Sequence, residues 1–593
     1  MTGDIISLYR AILAKEKGTV RKDWGGRISI ALAYPNYYRL GMSNLGFQIV
    51  YHLLNKRPDT VAERVFLPEN EEMRWYLQSG KSLLSLESQT PLRQFDLVAF
   101  SLSFENDYPN ILKILEMGKI PLLAEERSDP YPFIMAGGIT TFLNPEPLAP
   151  FIDFFLLGEA EANLTKFVDL FIECSRSNEK RSDIAISLAK NMSSVYVPSL
   201  YQPEYDADGT LRSLLSKEAQ VPERIKVACQ ASAGGRPSQG QEVPVSQITT
   251  PETEFADRIL IELGRGCGRA CRFCAAGYVY RPPRVWGESE LGDAIEKAME
   301  KCGQVGLLGT AVSDVPGIEN LTSLITKSGG RFSVSSLRAD GLSQGLLDNL
   351  ERTGQRTLAI APEAGSERLR RVINKHLSEK EIIEAARLIS RTKNFAVRLY
   401  FLIGLPTESK DDIEAIVNLV KLIKHRMVKE SAPRGTIGQI KLSVNCFVPK
   451  PFTPFQWHAF EQVSSLKDKQ KWLRNALARE GGVKVSFDVP KWSYVQALLS
   501  LGDRRVGSIL LRSHKLGGDW TRALRFSDIN PDFFVYRPKR IDEALPWDFI
   551  DHGIQKRHLI EEYNLALKAE ESDVCRVGEC YRCGVCTSLA KEH

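Results

Sequence analysis

The chain has 593 residues, 25% of them charged, and a net charge of +5. This length suffices for three or four domains, while so weak a positive charge gives no argument for nucleic-acid binding. The sequence shows neither a secretion signal nor an apolar run long enough to span a membrane, so we expect a soluble, cytoplasmic protein without a membrane partner.

Residues 1–185 alternate continuous apolar runs with helical patterns. Such alternation predicts a parallel, doubly wound α/β sheet of the Rossmann type. Ligands bind such sheets at the carboxyl ends of the strands, where glycine-containing loops lie. The strand candidates are ISIALAYP (28–35), FDLVAFSLS (95–103), PFIMAGG (132–138) and the start of FIDFFLLGEAEAN (151–163).

The sequence after residue 185 predicts four further segments. Residues 186–255 read as a hairpin and an exposed linker, and residues 256–480 as six β/α units of a partial TIM-like barrel whose site lies at the carboxyl ends of the strands. Residues 481–570 predict a mixed, mostly helical domain, and 571–593 a cysteine-rich metal-binding tail. The predicted barrel strands are 258–263, 304–312, 331–338, 355–363, 395–404 and 439–449.

Three of the eleven cysteines, Cys267, Cys271 and Cys274, follow the first barrel strand in GRGCGRACRFCAAG. In a reducing cytoplasm, clustered cysteines predict metal binding rather than disulfides. A closed zinc site needs four protein ligands, whereas three thiolates on a 4Fe-4S cluster leave one iron open to a small chelating ligand. Zinc with a remote fourth ligand, such as Cys302 or a histidine, is the alternative.

This C-x3-C-x2-C motif, with aromatic Phe273 before its last cysteine and a β/α barrel around it, resembles the radical S-adenosylmethionine (SAM) superfamily. The resemblance implies that SAM chelates the open iron. One electron from the cluster then cleaves SAM to methionine and a 5′-deoxyadenosyl radical. It also implies a reductant partner such as flavodoxin or ferredoxin.

Further segments resemble the SAM-binding segments of that superfamily. APEAGSERLRRV (361–372) is similar to a segment of methylthiotransferases and Elp3-type proteins, which implies that Glu363 accepts hydrogen bonds from SAM. Arg338 and Arg398, on the third and fifth strands, offer bidentate partners for the SAM carboxylate; an internal Glu363–Arg398 ion pair is the alternative. The resemblance also implies contacts of Phe273 with the adenine, of Gly309 with the methionine amino group, and of the backbone around Ile403 with the adenine.

A doubly wound domain before such a barrel resembles the cobalamin-binding radical SAM subgroup, as do PKPFTPFQW (449–457) and PWDFID (546–551). Many of those domains carry D-x-H-x-x-G after the first strand, and the histidine ligates cobalt. Here Gly41, Ser43 and Gly46 stand at those positions, and Ser43 is a poor cobalt ligand. The domain therefore either binds cobalamin without a protein ligand or has lost it. Small residues suited to line the cobalamin tail are Ser101, Ser103, Gly137 and Gly138.

Four more cysteines, Cys575, Cys580, Cys583 and Cys586, lie within CRVGECYRCGVC. The C-x2-C-x2-C spacing is found in ferredoxins that hold 4Fe-4S clusters, while C-x2-C pairs also suit zinc knuckles. We favour a second 4Fe-4S cluster here, with zinc as the alternative.

Together these features predict a radical SAM enzyme, a methyl- or methylthio-transferase whose substrate is an RNA, a protein or a small molecule. Bound cobalamin would favour methyl transfer. A second cluster without cobalamin would favour sulfur insertion or electron relay. The alternative from another class is a non-catalytic iron–sulfur redox sensor or assembly protein, against which the SAM-binding segments argue.

Overall fold

The computed structural model describes residues 4–587 except 178, 232–234, 236, 238–240 and 336. The N-terminal part is the predicted doubly wound domain, with helices on both sides of one sheet. Its strands are β1 (Ile28–Tyr34), β2 (Thr60–Phe66), β3 (Leu97–Ser101), β4 (Phe133–Gly137), β5 (Phe154–Leu156) and β6 (Val195–Tyr196). Its helices are α1 (Ile5–Lys15), α2 (Tyr38–Gly41), α3 (Leu45–Lys56), α4 (Asn70–Ser79), α5 (Tyr108–Met117), α6 (Ile139–Leu143), α7 (Ala160–Arg176) and α8 (Arg181–Asn191).

The sheet of this domain has the order β2-β1-β3-β4-β5-β6. Strands β1 to β5 run parallel, and β6 pairs antiparallel with β5. Nearly every residue of β1 to β5 is buried, as expected for a parallel sheet covered on both faces. The carboxyl ends of the strands therefore meet at one edge.

The predicted hairpin follows, and the barrel begins after the linker. The hairpin consists of β7 (Tyr201–Tyr205) and β8 (Leu211–Ser216), and a short strand β9 (Ile225–Lys226) comes next. The barrel strands are β10 (Ile259–Glu262), β11 (Gly264–Arg265), β12 (Arg284–Val285), β13 (Gln304–Leu308), β14 (Arg331–Val334), β15 (Thr357–Glu363), β16 (Ala396–Ile403), β17 (Ile440–Cys446) and β18 (Val483–Phe487). The barrel helices are α9 (Ala276–Val279), α10 (Glu288–Cys302), α11 (Ile318–Lys327), α12 (Gln344–Arg352), α13 (Glu367–Val372), α14 (Glu379–Thr392), α15 (Lys410–Ser431) and α16 (Val463–Leu477).

The barrel is a partial one, as predicted. Two parallel sheets, β10-β13-β14 and β15-β16-β17-β18, are joined by a parallel bridge between Leu337 and Ile360. All six predicted strands are present. The structure adds β18, which lies in the segment that we assigned to the C-terminal domain. Its sequence VKVSF alternates apolar with polar residues and is only partly buried, so it lacks the continuous apolar run of the other strands.

The C-terminal segments fold back over both preceding domains. They form α17 (Pro490–Leu501), α18 (Val506–Lys515), α19 (Trp520–Arg525), α20 (Asp532–Val535), β19 (Ile550–Asp551) and α21 (Lys556–Leu567). The Asn144 side chain donates to the carbonyls of Ser500 (3.0 Å) and Gly502 (2.7 Å), and β19 pairs with β9. One hydrophobic core runs through all three parts. Among the helices that the structure describes, none combines the length and the apolar character that crossing a membrane requires.

The packing of the C-terminal segment predicts acid sensitivity at His552. This side chain bonds to the Phe142 carbonyl at 2.7 Å, and burial lowers its pKa to about 4. An unfolded histidine takes up a proton near pH 6.5, so stability should fall by about 1.4 kcal/mol per pH unit as the pH drops from about 6.5 towards 4. Denaturant unfolding at several pH values should show a flatter dependence for His552→Gln, whereas the exposed-site control His425→Gln should keep the wild-type slope.

Candidate functional site

Cys267, Cys271 and Cys274 lie on one loop, residues 266–275, which we call the cysteine loop. It follows β10 and β11 and leads into α9, so it lies between the two strands of the β11–β12 pair. Gly266 opens it with φ +79°, and a Cβ there would lie 2.5 Å from the Tyr280 carbonyl oxygen. Only glycine fits this turn, which brings the thiols to the carboxyl end of the first barrel strand, where the sequence predicts them.

The thiols of Cys267, Cys271 and Cys274 are partly exposed and electrostatically close to one another. Burial raises the pKa of Cys274 to about 12 and also raises that of Cys271, where nearby Lys375 and Arg338 oppose the shift. In the described ranges, no three Cys, His, Asp or Glu side chains converge on a point that would hold a single metal ion. Three thiols with two neighbouring cations fit an anionic cluster that has a separate iron for each thiolate.

The remote zinc ligand considered from sequence, Cys302, lies elsewhere. It ends α10, and its thiol donates to the Gln304 carbonyl at 3.0 Å, at the amino end of β13. The cysteine loop lies at the opposite, carboxyl end of the neighbouring strand β10. Cys302 therefore is not placed to complete a site with the three loop cysteines.

Arg272 anchors the cysteine loop from within. Its side chain is fully buried and donates to the carbonyls of Arg371 (3.1 Å) and Val372 (3.0 Å). Its Nε bonds to Glu562 on α21 at 3.0 Å, and Glu562 is also buried. The loop is thus fixed both to the end of α13 and to the C-terminal helix.

Glu363 ends β15 beside the cysteine loop. It has φ +67°, uncommon for a non-glycine residue, at an irregularity of the β15–β16 pairing, and such strain is typical of functional positions. Its carboxylate pairs with Lys375 at 3.3 Å, not with Arg398. Burial acts to lower the pKa of Lys375, but Glu363 and Cys271 outweigh it and raise that pKa.

The two arginines expected near the SAM carboxylate have different surroundings. Arg338 lies just after β14 and is engaged by Asp340 through two bonds of 2.9 and 3.0 Å. Arg398 is exposed on the face of β16 opposite to its neighbours Val397 and Leu399, which are buried in the hydrophobic core. In the pairing of β16 with β17 and β18 it stands in line with Lys441 and Lys484.

The remaining SAM candidates surround the barrel mouth. Phe273 packs against the small cluster that includes Leu405 and Phe447, which follow β16 and β17. Gly309 follows β13, and its carbonyl accepts a bond from Ser335 at 3.0 Å. The Ile403 side chain is buried, and its carbonyl accepts from the Phe447 amide at 2.9 Å.

A cavity of about 380 Å³ lies between the carboxyl edge of the N-terminal sheet and the barrel mouth. We call it the interdomain cavity. Apolar residues such as Phe100 and Leu156 form much of its wall. From the N-terminal domain it is lined by five of the predicted cobalamin residues, and from the barrel by Arg265, Gly266, Gly309 and Thr310. The five are Gly46, Ser101, Ser103, Gly137 and Gly138.

The other two cobalamin candidates do not line the interdomain cavity. Gly41 is packed under Phe66, whose ring atom would lie 2.5 Å from an added Cβ. The Ser43 hydroxyl donates to the Arg39 carbonyl at 2.6 Å and accepts from the Glu254 amide at 3.0 Å. Asn44, which we did not predict, faces the cavity instead, caps α3 and donates to Ser103 at 3.0 Å.

A charged group at the edge of the interdomain cavity also went unpredicted. Arg265 bonds to Glu161 and Glu262, each at 2.8 Å, and lies 3.2 Å from Glu159. Glu161 precedes Arg265 by 104 positions in the chain, and the segment GEAEAN that contains Glu159 and Glu161 reads only as the start of a helix. The arginine next to the cysteine loop is thereby tied to the N-terminal domain.

The C-terminal cysteines come to the same region. Cys575, Cys580, Cys583 and Cys586 are electrostatic neighbours of one another, and burial raises the pKa of Cys575 to about 11. The Cys575 amide donates to the Gly268 carbonyl of the cysteine loop at 2.7 Å. The two cysteine groups of the sequence are therefore adjacent in the fold.

Comparison with known proteins gives the following matches. The family described as "Radical SAM superfamily" matches residues 261–420, and "Radical SAM proteins, N-terminal" matches residues 46–198. An uncharacterized protein of Methanocaldococcus jannaschii is 29% identical over 487 residues, 81% of this chain and 90% of that protein. The ribosomal protein uS12 methylthiotransferase RimO of Petrotoga mobilis is 25% identical over 186 residues, 29% of this chain and 42% of that protein.

Two solved structures are similar at a low level. TsrM, a radical SAM methyltransferase from Kitasatospora setae with cobalamin and a [4Fe-4S] cluster bound, has 11% identity and a TM-score of 0.46, covering 84% of this chain and 97% of that one. The cobalamin-dependent SAM radical enzyme OxsB has 11% identity and a TM-score of 0.38, covering 95% and 84%. Scores this low add no argument about this chain.

The burial of Arg272 and Glu562 makes their ion pair a test of the site. Arg272→Met should lower the free energy of unfolding by about 3–5 kcal/mol, because Glu562 is left as a buried charge without its main partner. The double variant Arg272→Met/Glu562→Met should lose less. Glu561→Gln, at the exposed neighbouring position, should be neutral. Denaturant unfolding measures all three, and equal losses in the single and double variants would contradict the pairing.

Proposed function

Because the chain belongs to the radical SAM superfamily, we propose that Cys267, Cys271 and Cys274 hold a 4Fe-4S cluster at which SAM is bound and reductively cleaved. Such cleavage supplies a 5′-deoxyadenosyl radical. One observation carries the proposal: the three thiols lie on a loop at the carboxyl end of the first barrel strand, and Gly266, which opens that loop, lines the interdomain cavity. The protein is thus an enzyme that starts radical chemistry on a substrate in or beside this cavity.

The residues around the cysteine loop take complementary roles in this proposal. Glu363, held by Lys375, accepts hydrogen bonds from SAM. Phe273, beside Leu405 and Phe447, offers an apolar surface for the adenine. Gly309 leaves room for a close approach, since an added Cβ there would meet its neighbours only at 3.7 Å or more. Arg398 stays a candidate partner for an anionic group.

The interdomain cavity supports cobalamin as the second cofactor and methyl transfer as the reaction. Small residues from three strand ends line it, and an added Cβ at Gly138 would lie 2.2 Å from the Leu102 carbonyl oxygen. Bound between the sheet edge and the cysteine loop, cobalamin would face the SAM site directly. No histidine is among the described residues that line the cavity; half-buried His52 lines the adjoining one.

Sulfur insertion is the second candidate reaction. It is favoured by the partial similarity to RimO, named as a methylthiotransferase, and by the second cysteine group beside the cysteine loop. The interdomain cavity, lined by small residues at the strand ends, favours methyl transfer. RNA, protein and small-molecule substrates are all compatible with a cavity open to both domains.

The first test of this function removes a cluster ligand. Cys267→Ala should abolish the release of 5′-deoxyadenosine from SAM, because two thiolates cannot hold the cluster in place. The assay uses anaerobic, iron-reconstituted protein with dithionite and SAM, and mass spectrometry detects the product. Cys302→Ser, which alters a thiol at the far end of the barrel, should keep wild-type release. A wild type that binds SAM yet never cleaves it would show the radical assignment to be wrong.

The second test concerns cobalamin. Any bound cobalamin should lack a histidine ligand. The electron paramagnetic resonance spectrum of its Co(II) form should therefore show no superhyperfine splitting from a histidine nitrogen. Ser101→Leu places a larger side chain in the cavity and should weaken binding at least about tenfold in an absorbance titration. Ser43→Ala, outside the cavity, should bind like the wild type. Histidine splitting that disappears in His52→Ala would contradict our placement.

A further inference from the structure

The C-terminal tail, residues 570–587, touches the cysteine loop backbone to backbone. Beyond the 2.7 Å bond from the Cys575 amide to the Gly268 carbonyl, a Cβ added to Gly268 would lie 2.9 Å from the Cys575 carbonyl oxygen. No side chain fits between the two segments. A single hydrogen bond therefore connects Cys575 with the residue that follows Cys267.

Two buried polar groups hold the tail in this position. The Asn374 amide donates to Ala270 of the cysteine loop and to the Ser572 hydroxyl, each at 3.2 Å, and it accepts from the Ser572 amide at 2.9 Å. Glu562 accepts from the Ser572 hydroxyl at 2.8 Å while it pairs with Arg272. Both groups contact the loop and the tail at once, so the contact is built into the fold.

The tail thiols gather in a partly enclosed, positively charged position. Cys583 and Cys586 are buried, and the Cys583 carbonyl accepts from the Gln555 amide at 2.9 Å. The guanidinium of Arg281, also buried, is an electrostatic neighbour of Cys575 and Cys583. A buried cation beside these thiols would balance part of the negative charge of a metal centre held by them.

The opposite side of the tail faces solvent. Tyr581 is 59% exposed, and Arg576 and Arg582 beside it are exposed as well. Arg582 lies 3.6 Å from Glu562, and Glu579 is exposed between Arg576 and Tyr581. The tail therefore has an inner side against the cysteine loop and an outer side with an aromatic ring and charges of both signs, which suits a transient polar contact with another protein.

We propose that the four tail thiolates hold a second 4Fe-4S cluster and that the tail is the point at which electrons enter for SAM cleavage. This inference rests on the proposed function. A low-potential protein reductant with a flavin or an iron–sulfur centre would supply one electron to the centre held by the tail thiolates. The contact between Cys575 and Gly268 would carry that electron to the cluster held by the cysteine loop, so that the tail centre is reoxidised as the loop cluster is reduced. No bond forms or breaks in this step.

Metal content and magnetic coupling test the site independently of SAM cleavage. The full chain is reconstituted anaerobically as wild type, as Cys267→Ala/Cys271→Ala/Cys274→Ala and as Cys580→Ser/Cys583→Ser. By the two-cluster reading, we expect about eight irons in the wild type and about four in each variant. The reduced wild type should give an electron paramagnetic resonance signal split or broadened relative to the sum of the variants' signals. Zinc in the triple variant, or a simple sum, would overturn the proposal.

A comparison of two reductants tests the electron path. With reduced flavodoxin, Cys580→Ser/Cys583→Ser should cleave SAM at least about tenfold more slowly than wild type. With dithionite, which is small enough to reach the loop cluster, its rate should stay within about twofold. Equal rates to wild type with both reductants would overturn the relay.

A surface variant covers the case in which the cysteine variant fails to fold. Arg576→Glu leaves all ligands in place and should keep about eight irons and the dithionite rate, while the flavodoxin rate falls at least about fivefold. Lys410→Glu, an equally drastic change at a side chain that is 81% exposed, should change neither rate. An unaltered flavodoxin rate in Arg576→Glu would count against entry at this surface. A wild type that never cleaves SAM refutes the proposed function alone, since the iron count and the coupling still judge the tail cluster.

Discussion

The buried ion pair between Arg272 and Glu562 is the interaction on which the arrangement of the site depends. Arg272 stands between Cys271 and Phe273, so its position fixes together the proposed cluster ligand and the ring proposed to face the adenine. Charges removed from water are costly unless they are paired and hydrogen-bonded. Here the arginine also satisfies two carbonyl groups at the end of α13. The pair therefore specifies one geometry of the loop more than it adds stability.

The interdomain cavity arises from two parallel sheets whose carboxyl edges face each other. Each sheet leaves its loops and strand-end glycines at that edge, which is where α/β proteins place their ligands. Arg265 and its three glutamates close one side of the gap. Two cofactors held at facing edges would meet without any large movement of either domain, which suits a reaction that passes a reactive group between them.

The sequence was informative wherever a pattern is local. Apolar runs predicted the parallel strands, and the cysteine spacings pointed to the two segments that we propose to bind clusters. The sequence analysis did not predict strand β18, because polar residues alternate with apolar ones along it and interrupt the apolar run. Gly41 and Ser43 do not line the interdomain cavity, because a motif aligned by spacing alone does not say which residues of a loop turn towards a cavity. The ion pairs Glu363–Lys375 and Arg272–Glu562 form only when the fold brings separate segments together. No local sequence pattern predicts them.

The contact between Glu562 and Arg272 joins residues 290 positions apart, and this separation bears on how the protein is made. During synthesis the ribosome completes the cysteine loop long before it completes the helix and tail that hold the loop in place. A nascent chain would therefore present three unclamped thiols for most of the remaining elongation. Insertion of iron at the wrong moment is avoided if the loop takes its final shape only after residues 562–575 have emerged. The order of the segments along the chain thus places the closure of the cysteine loop late in synthesis, and a cluster held by the closed loop would be loaded late as well.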